Sequence, residues 1–211
     1  MSDNINNNTN NNAVKAGGLS KNTMIIGAVV AVLVLWGISA YNGMVNEQEK
    51  ATTAWASVQS AYQRRADLIP NLVNVVKGYA EHEKETLEGV VNARAKATSI
   101  NINADDISPE KLQEFQQAQG ELSQALGRLI AVSESYPDLK ANENFLDLQK
   151  QLEGTENRIN EARNTFNKAV QDYNVKIRRF PNTLLAGIFG FDKMAKFEAD
   201  ADAQKAPEVK F

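Results

Sequence analysis

Trp55, Val58, Tyr62, Ile69, Leu72, Val76 and Tyr79 recur at alternating steps of three and four, with Arg65 standing in one slot. That is the period of a helix with one buried face. A second stripe, Leu112, Phe115, Leu122, Leu126, Leu129 and Tyr136, follows "SPEKL", where Ser108 suits an N-cap and Pro109 the first helical position. The third stripe is the most regular. Phe145, Leu152, Ile159, Phe166, Tyr173 and Phe180 stand seven residues apart, with Leu148, Thr155, Ala162 and Ala169 in the seam between them. A seven-residue repeat kept this long implies left-handed, coiled-coil-like packing, and the small seam residues admit a close neighbour. Short polar linkers at 98–109 and 136–144 separate the stripes, with Pro137 ending one helix and Asn142 capping the next. The stripes can cover one another within one chain, so the pattern predicts an intramolecular bundle and leaves the oligomeric state open.

Ahead of the stripes, residues 24–40 ("MIIGAVVAVLVLWGISA") are apolar and uncharged. As a helix at about 1.5 Å per residue they span roughly 26 Å, enough for a bilayer core, with Trp36 and Tyr41 suited to the far interface. A cleaved signal peptide fits less well, because Ile38 is bulky for the cleavage rule and the run is longer than a usual signal core. Lys15 and Lys21 precede the run and Lys50 follows it, which puts the N-terminus in the cytoplasm and the bundle outside. The Asn-rich stretch at 1–23 lacks the apolar residues for a core and reads as a disordered tail. The charged, Ala-rich residues 192–211 read as a flexible one.

Pro70 interrupts the first stripe within "RRADLIPNLVNVV". Two readings compete. Asp67 caps a new helix and Pro70 sits harmlessly in its first turn, so the chain reverses there. Alternatively one long helix runs through and kinks, as the unbroken apolar phase and the absence of a glycine or long polar loop favour. The first gives four helices, near 42–66, 70–98, 109–135 and the last stripe. It also returns "LLAGIFGF" to the membrane surface. The second gives three long helices and leaves that segment far from the bilayer.

The balance of 23 basic to 26 acidic residues gives a formal charge of −3 and no basic footprint for nucleic acid. With no cysteine there is neither a disulfide framework nor a thiolate site, and the single His82 rules out a His-rich metal centre. Glu81, Glu83 and Glu85 surround His82, but adjacent helical residues point in different directions and the spacing is not that of a zinc site. No phosphate loop or Ser–His–Asp set is present, so neither a catalytic site nor a cofactor is expected. Arg64, Arg65 and Asp67 are candidates for a partner's charged group, against the plainer reading of local pairing and capping. Asn71, Asn74, Asn92, Asn157 and Asn174 sit inside helical stretches, where buried asparagines fix register by hydrogen bonds. In "FPNTLLAGIFGF", Pro181 stops the last long helix and Leu184, Leu185, Ile188, Phe189 and Phe191 follow. They form either a lid over the bundle's open end or a contact with lipid or a membrane partner.

Several motifs together resemble the LemA family of bacterial membrane proteins: Tyr41-Asn42, Ala54-Trp55, Arg64-Arg65 through Val73, and Lys77-Gly78-Tyr79-Ala80 with His82-Glu83. Glu143, Leu152-Glu153, Thr155-Glu156-Asn157, Tyr173-Asn174, Phe180-Pro181 and Phe189-Gly190-Phe191 continue the resemblance, which covers most of residues 41–191. The long Asn-rich tail departs from the family layout. The resemblance implies an all-α protein with one N-terminal transmembrane helix (24–41) and an antiparallel up-and-down four-helix bundle (42–191). It favours the turn at Asp67–Pro70 over three long helices with a kink. It implies a single-pass protein of the bacterial inner membrane and supplies no catalytic residues. The function expected is a non-enzymatic scaffold or adaptor. The alternative is a lipid-interacting membrane-stress protein using residues 184–191, and an enzyme ranks last.

Overall fold

The computed structural model describes residues 21–104 and 106–198. The expected Asn-rich tail therefore lies, through residue 20, outside the described residues, as does the C-terminal stretch from 199 on. The helices are α1 (Lys21–Tyr79), α2 (Lys84–Ser99), α3 (Pro109–Val132), a short α4 (Pro137–Lys140), α5 (Glu143–Arg178) and α6 (Asn182–Phe189). There is no strand among the described residues. The chain forms two units that meet between Ser39 and Ala40, and α1 contributes to both. In the first unit the apolar side chains Met24, Ile25, Ile26, Val29, Val30, Val32, Leu33, Val34 and Leu35 are all exposed. By length and composition this part of α1 suffices to cross a membrane.

From Ala40 the chain makes four antiparallel passes. Among the buried positions of α1, Ala51, Trp55, Val58, Tyr62, Arg65, Ile69, Leu72 and Val76 keep the three–four alternation without a break, with Ala54 and Ala66 buried beside them. After the turn at 80–83, α2 runs back, and its Arg94 Nε reaches the Ala66 carbonyl at 2.8 Å. The loop 100–108 is pinned when Trp55 Nε1 and Gln59 Nε2 both donate to the Ile102 carbonyl, at 3.1 and 3.2 Å. α3 then starts on the Ser108 cap, whose hydroxyl accepts from the Lys111 N–H, with Pro109 in its first turn. α5 starts on Asn142, whose side chain accepts from the Phe145 N–H at 3.0 Å. It descends from Phe145, packed in one core cluster with Val76, to Tyr173, packed with Met44 in another. Between them the middle core is aromatic, with Trp55 against Phe115 and Phe166 at ring separations of 5.6 and 5.3 Å. Such pairs add about 0.5–1.5 kcal/mol each beyond area burial.

The antiparallel four-helix bundle stands, but the expected reversal at Asp67–Pro70 does not. α1 continues through Pro70 to Tyr79, and the reversal comes about ten residues later, at 80–83. Asp67 is not an N-cap; it lies inside α1, and its carboxylate accepts from Gln63 Nε2 at 2.7 Å. Pro70 is exposed, so its ring projects away from the core. A proline in a helix leaves the carbonyl four residues earlier without its N–H partner. Here that carbonyl is the buried Ala66, and Arg94 of α2 supplies the missing donor. The choice between a turn with four helices and a continuous helix with three was therefore a false one, because the continuous helix coexists with four passes.

Two members of the apolar stripes are not core. Tyr79 is 44% exposed, and its hydroxyl accepts from Asn142 Nδ2 at 3.0 Å. Phe180 is 81% exposed, because α5 ends at Arg178 and the heptad does not survive the approach to Pro181.

Candidate membrane-interface site

The sequence-selected residues fall into two separate places. Arg65 is 3% exposed in the middle of the bundle. Its guanidinium donates to Ser123 Oγ (2.9 Å), Gln119 Oε1 (2.7 Å) and Glu156 Oε2 (3.1 Å), and lies 5.1 Å from the Tyr62 ring centre. Its Nε has no partner. Glu156 is half exposed, so the charge is met at the edge of the core rather than by a buried carboxylate. Burial raises the pKa of the neighbouring Tyr62 above the ordinary phenol value, while Arg163 and Arg65 pull the other way. Arg64 and Asp67 are exposed on the opposite face of α1 beside Gln59, Ser60, Gln63 and Leu68. A partner approaching from solvent meets these two side chains and not Arg65. His82 is exposed in the 80–83 turn, and no group of three His, Cys, Asp or Glu side chains among the described residues is placed to hold a metal.

The second place is α6. "NTLLAGIFGF" carries no charge, and Gly190, at φ +73°, caps the helix in the left-handed region that glycine reaches without strain. Its inner face seats Ala186, with Leu185 and Phe191 alongside, against Met44, Tyr173 and Ile177. Tyr41, the second residue of the bundle, meets Phe189 and Phe191 edge-on at 5.1 and 5.6 Å. The outer face is bare: Leu184 is 60% exposed, Ile188 74% and Phe189 55%, and Phe180, just ahead of α6, is exposed as well. Exposed Arg178, Arg179 and Lys193 flank this apolar stretch in the sequence. α6 thus packs on the bundle with one face, where Phe189 meets Tyr41, and presents the other outward. Sequence reading missed that Phe180 is exposed; Pro181 immediately after it is the signal that the buried heptad has ended.

Residues 191–198, which include the start of the expected C-terminal tail, carry no helix but lie against the bundle. Phe197 is buried against Trp55 and Phe166, and Met194 is half-buried. Neither was singled out from sequence. Asn174 was, and its side chain bonds to Met194; its partner in this role, Asn167, was missed. The exposed Asn71, Asn74, Asn92 and Asn157 have no such role in register.

An apolar helix long enough to span a bilayer, running on into an antiparallel bundle, defines a membrane-associated helical-bundle protein. The chain belongs to the LemA family, whose profile matches residues 54–211. It is 27% identical to Protein LemA of Metamycoplasma hominis, with 75% of this chain and 68% of that protein aligned. It is 30% identical to Magnetosome protein MamQ 1 of Paramagnetospirillum magneticum and 29% to Magnetosome protein MamQ of Magnetospirillum gryphiswaldense. The alignments cover 64% of each magnetosome protein, a little under two thirds of its length.

Proposed function

We propose that this protein is a non-enzymatic, single-pass scaffold or adaptor of a bacterial inner membrane, whose bundle rests on the lipid interface through α6. The observation that carries the reading is the outer face of α6. Leu184, Ile188 and Phe189 are exposed and uncharged, and Phe189 meets Tyr41, the second residue of the bundle. An apolar helix face with exposed Arg178, Arg179 and Lys193 close by in the sequence suits the boundary between acyl chains and anionic headgroups. Lys15 and Lys21 before the apolar run support a cytoplasmic N-terminus and a bundle outside. The relatives named magnetosome proteins support a role at a membrane and leave the partner open.

The chain has no cysteine, so single reporters can be placed cleanly. The full chain is reconstituted with a fluorophore at Ile188→Cys, or at Asp138→Cys in exposed α4 at the other end of the bundle. Nitroxide lipids should quench the label at 188 and spare the one at 138. Leu184→Asp added to the Ile188→Cys chain should relieve the quenching. Equal quenching at both positions would reject the α6 contact. In intact spheroplasts, an impermeant thiol reagent should reach position 138 from outside. Protection until lysis would put the bundle in the cytoplasm.

A further inference from the structure

The segment 191–198 is held by a device built for extended chain. Asn174 donates from Nδ2 to the Met194 carbonyl at 2.9 Å and accepts from the Met194 N–H at 3.1 Å. Asn167 does the same for Phe197, at 3.0 and 2.8 Å. A primary amide offers a donor and an acceptor side by side, so it can pair with both main-chain groups of one extended residue, as a neighbouring strand would. The spacing fits. Seven residues of α5 advance about 10.5 Å at 1.5 Å each. Three residues of extended chain advance about 10 Å. The heptad of α5 is thus in register with every third residue of the segment.

The surrounding bonds also address main chain. Tyr173 Oη donates to the Asp192 carbonyl at 2.8 Å, Gln116 Nε2 to that of Glu198 at 3.2 Å, and the Ala195 N–H to Ile107 O at 3.4 Å. Side-chain selection falls on two positions. Phe197 enters a pocket of Trp55 and Phe166, with the Arg163 guanidinium 4.6 Å from its ring centre. Met194 packs between that aromatic cluster and the one around Tyr173.

We propose that the seam between α5 and the start of α3 is a peptide-binding groove. Residues 192–198 occupy it in cis, and in trans it takes an extended segment of another polypeptide with the pattern apolar-x-x-aromatic. Hydrogen bonds to main chain tolerate many sequences, while the Phe197 pocket and the Met194 seat set the register, the division of labour that extended-peptide sites use. The cis segment competes at the high effective concentration of a tethered ligand, so a partner gains access when that segment is weakened or outcompeted. The groove gives the adaptor reading a class of partner.

The test uses the full chain in detergent micelles and a fluorescent peptide of residues 190–199. With Met194→Ala and Phe197→Ala in the chain, the peptide should bind at least about tenfold tighter than to the natural chain, because the cis occupant has lost both anchors. Adding Asn167→Ala and Asn174→Ala should weaken it by about tenfold or more, as should alanine at the peptide's own phenylalanine. Binding no tighter than that of a scrambled peptide, or unchanged without the two asparagines, would overturn the proposal. A second measurement spares the core: a label at Lys193→Cys in the otherwise natural chain should gain rotational freedom as excess peptide displaces the segment. A label that stays held at millimolar peptide would also overturn it. No bilayer is involved, so failure here leaves the α6 contact standing, and the reverse holds as well.

Discussion

Arg94 and Pro70 are not in contact along the chain, yet their contributions to stability should be coupled. Pro70 deprives the Ala66 carbonyl of its helical donor, and Arg94 Nε replaces it at 2.8 Å. Ala66 is 3% exposed, so water is a poor substitute. Arg94→Met keeps most of the side-chain volume and removes the donor. Hydrogen bonds from a charged group are worth about 1.5–3 kcal/mol, and a stranded buried carbonyl costs about 1–3 kcal/mol. Arg94 is only half-buried, so a loss of about 2 kcal/mol is expected. Pro70→Ala restores an N–H four residues after Ala66. The ring is exposed and little packing is lost, so this change should itself stabilise by about 1–3 kcal/mol on helix propensity. In that background Arg94→Met should cost only about 0.5 kcal/mol. The coupling of about 1.5 kcal/mol is well outside the scatter of additive sites. Urea unfolding of the full chain in micelles, followed by circular dichroism and by the buried Trp55, measures the four corners of the cycle. If Arg94→Met costs the same with alanine at 70 as with proline, the account of how α1 passes through Pro70 is wrong.

Two further outcomes follow from buried polar groups. Arg65→Met should cost about 1–2 kcal/mol, because Glu156 remains in water when its partner goes but the buried Gln119 Oε1 loses its donor. Arg65→Ala should cost about 2–4 kcal/mol through the cavity it opens between Tyr62 and Gln119. Denaturant midpoints of the two variants decide it, and equal losses would show that charge rather than volume matters there. Tyr62 and Tyr173 are both raised above their ordinary value of 10.0, chiefly by burial. The folded state then holds their protons more tightly than the unfolded one. Their contribution is complete below pH 10 and lost as pH rises through the folded values. Stability should fall on going from pH 9 to above pH 10, and less steeply in Tyr62→Phe; an identical slope in that variant would refute the assignment.

The class of fold was legible because helical periodicity is local. The heptad of α5 from Phe145 to Tyr173 and the stripe of α1 from Trp55 to Val76 are buried as their spacing requires, and the Ser108 and Asn142 caps sit where their side chains can reach the first free N–H groups. The site was legible only in outline. "LLAGIFGF" stood out as apolar, but which of its side chains face out depends on Met44 and Tyr41, about 140 residues earlier in the chain. Arg64 and Arg65 are adjacent in sequence and reach opposite environments, since consecutive helical residues point about 100° apart. Asn167 and Phe197 showed no local signal, because their meaning lies in a pairing across thirty residues.

By itself the sequence determined an apolar run long enough to cross a bilayer, an all-helical bundle after it, and where the capped helices begin. These follow from the chain's own period and from end groups within four residues. Only the tertiary structure decided that α1 runs through Pro70. A proline removes one donor locally, and whether the helix breaks depends on whether something distant supplies another. Arg94, returning on α2, does so. The same holds for residues 191–198, which have no periodicity of their own and take their conformation from the asparagines and aromatic rings they lie against.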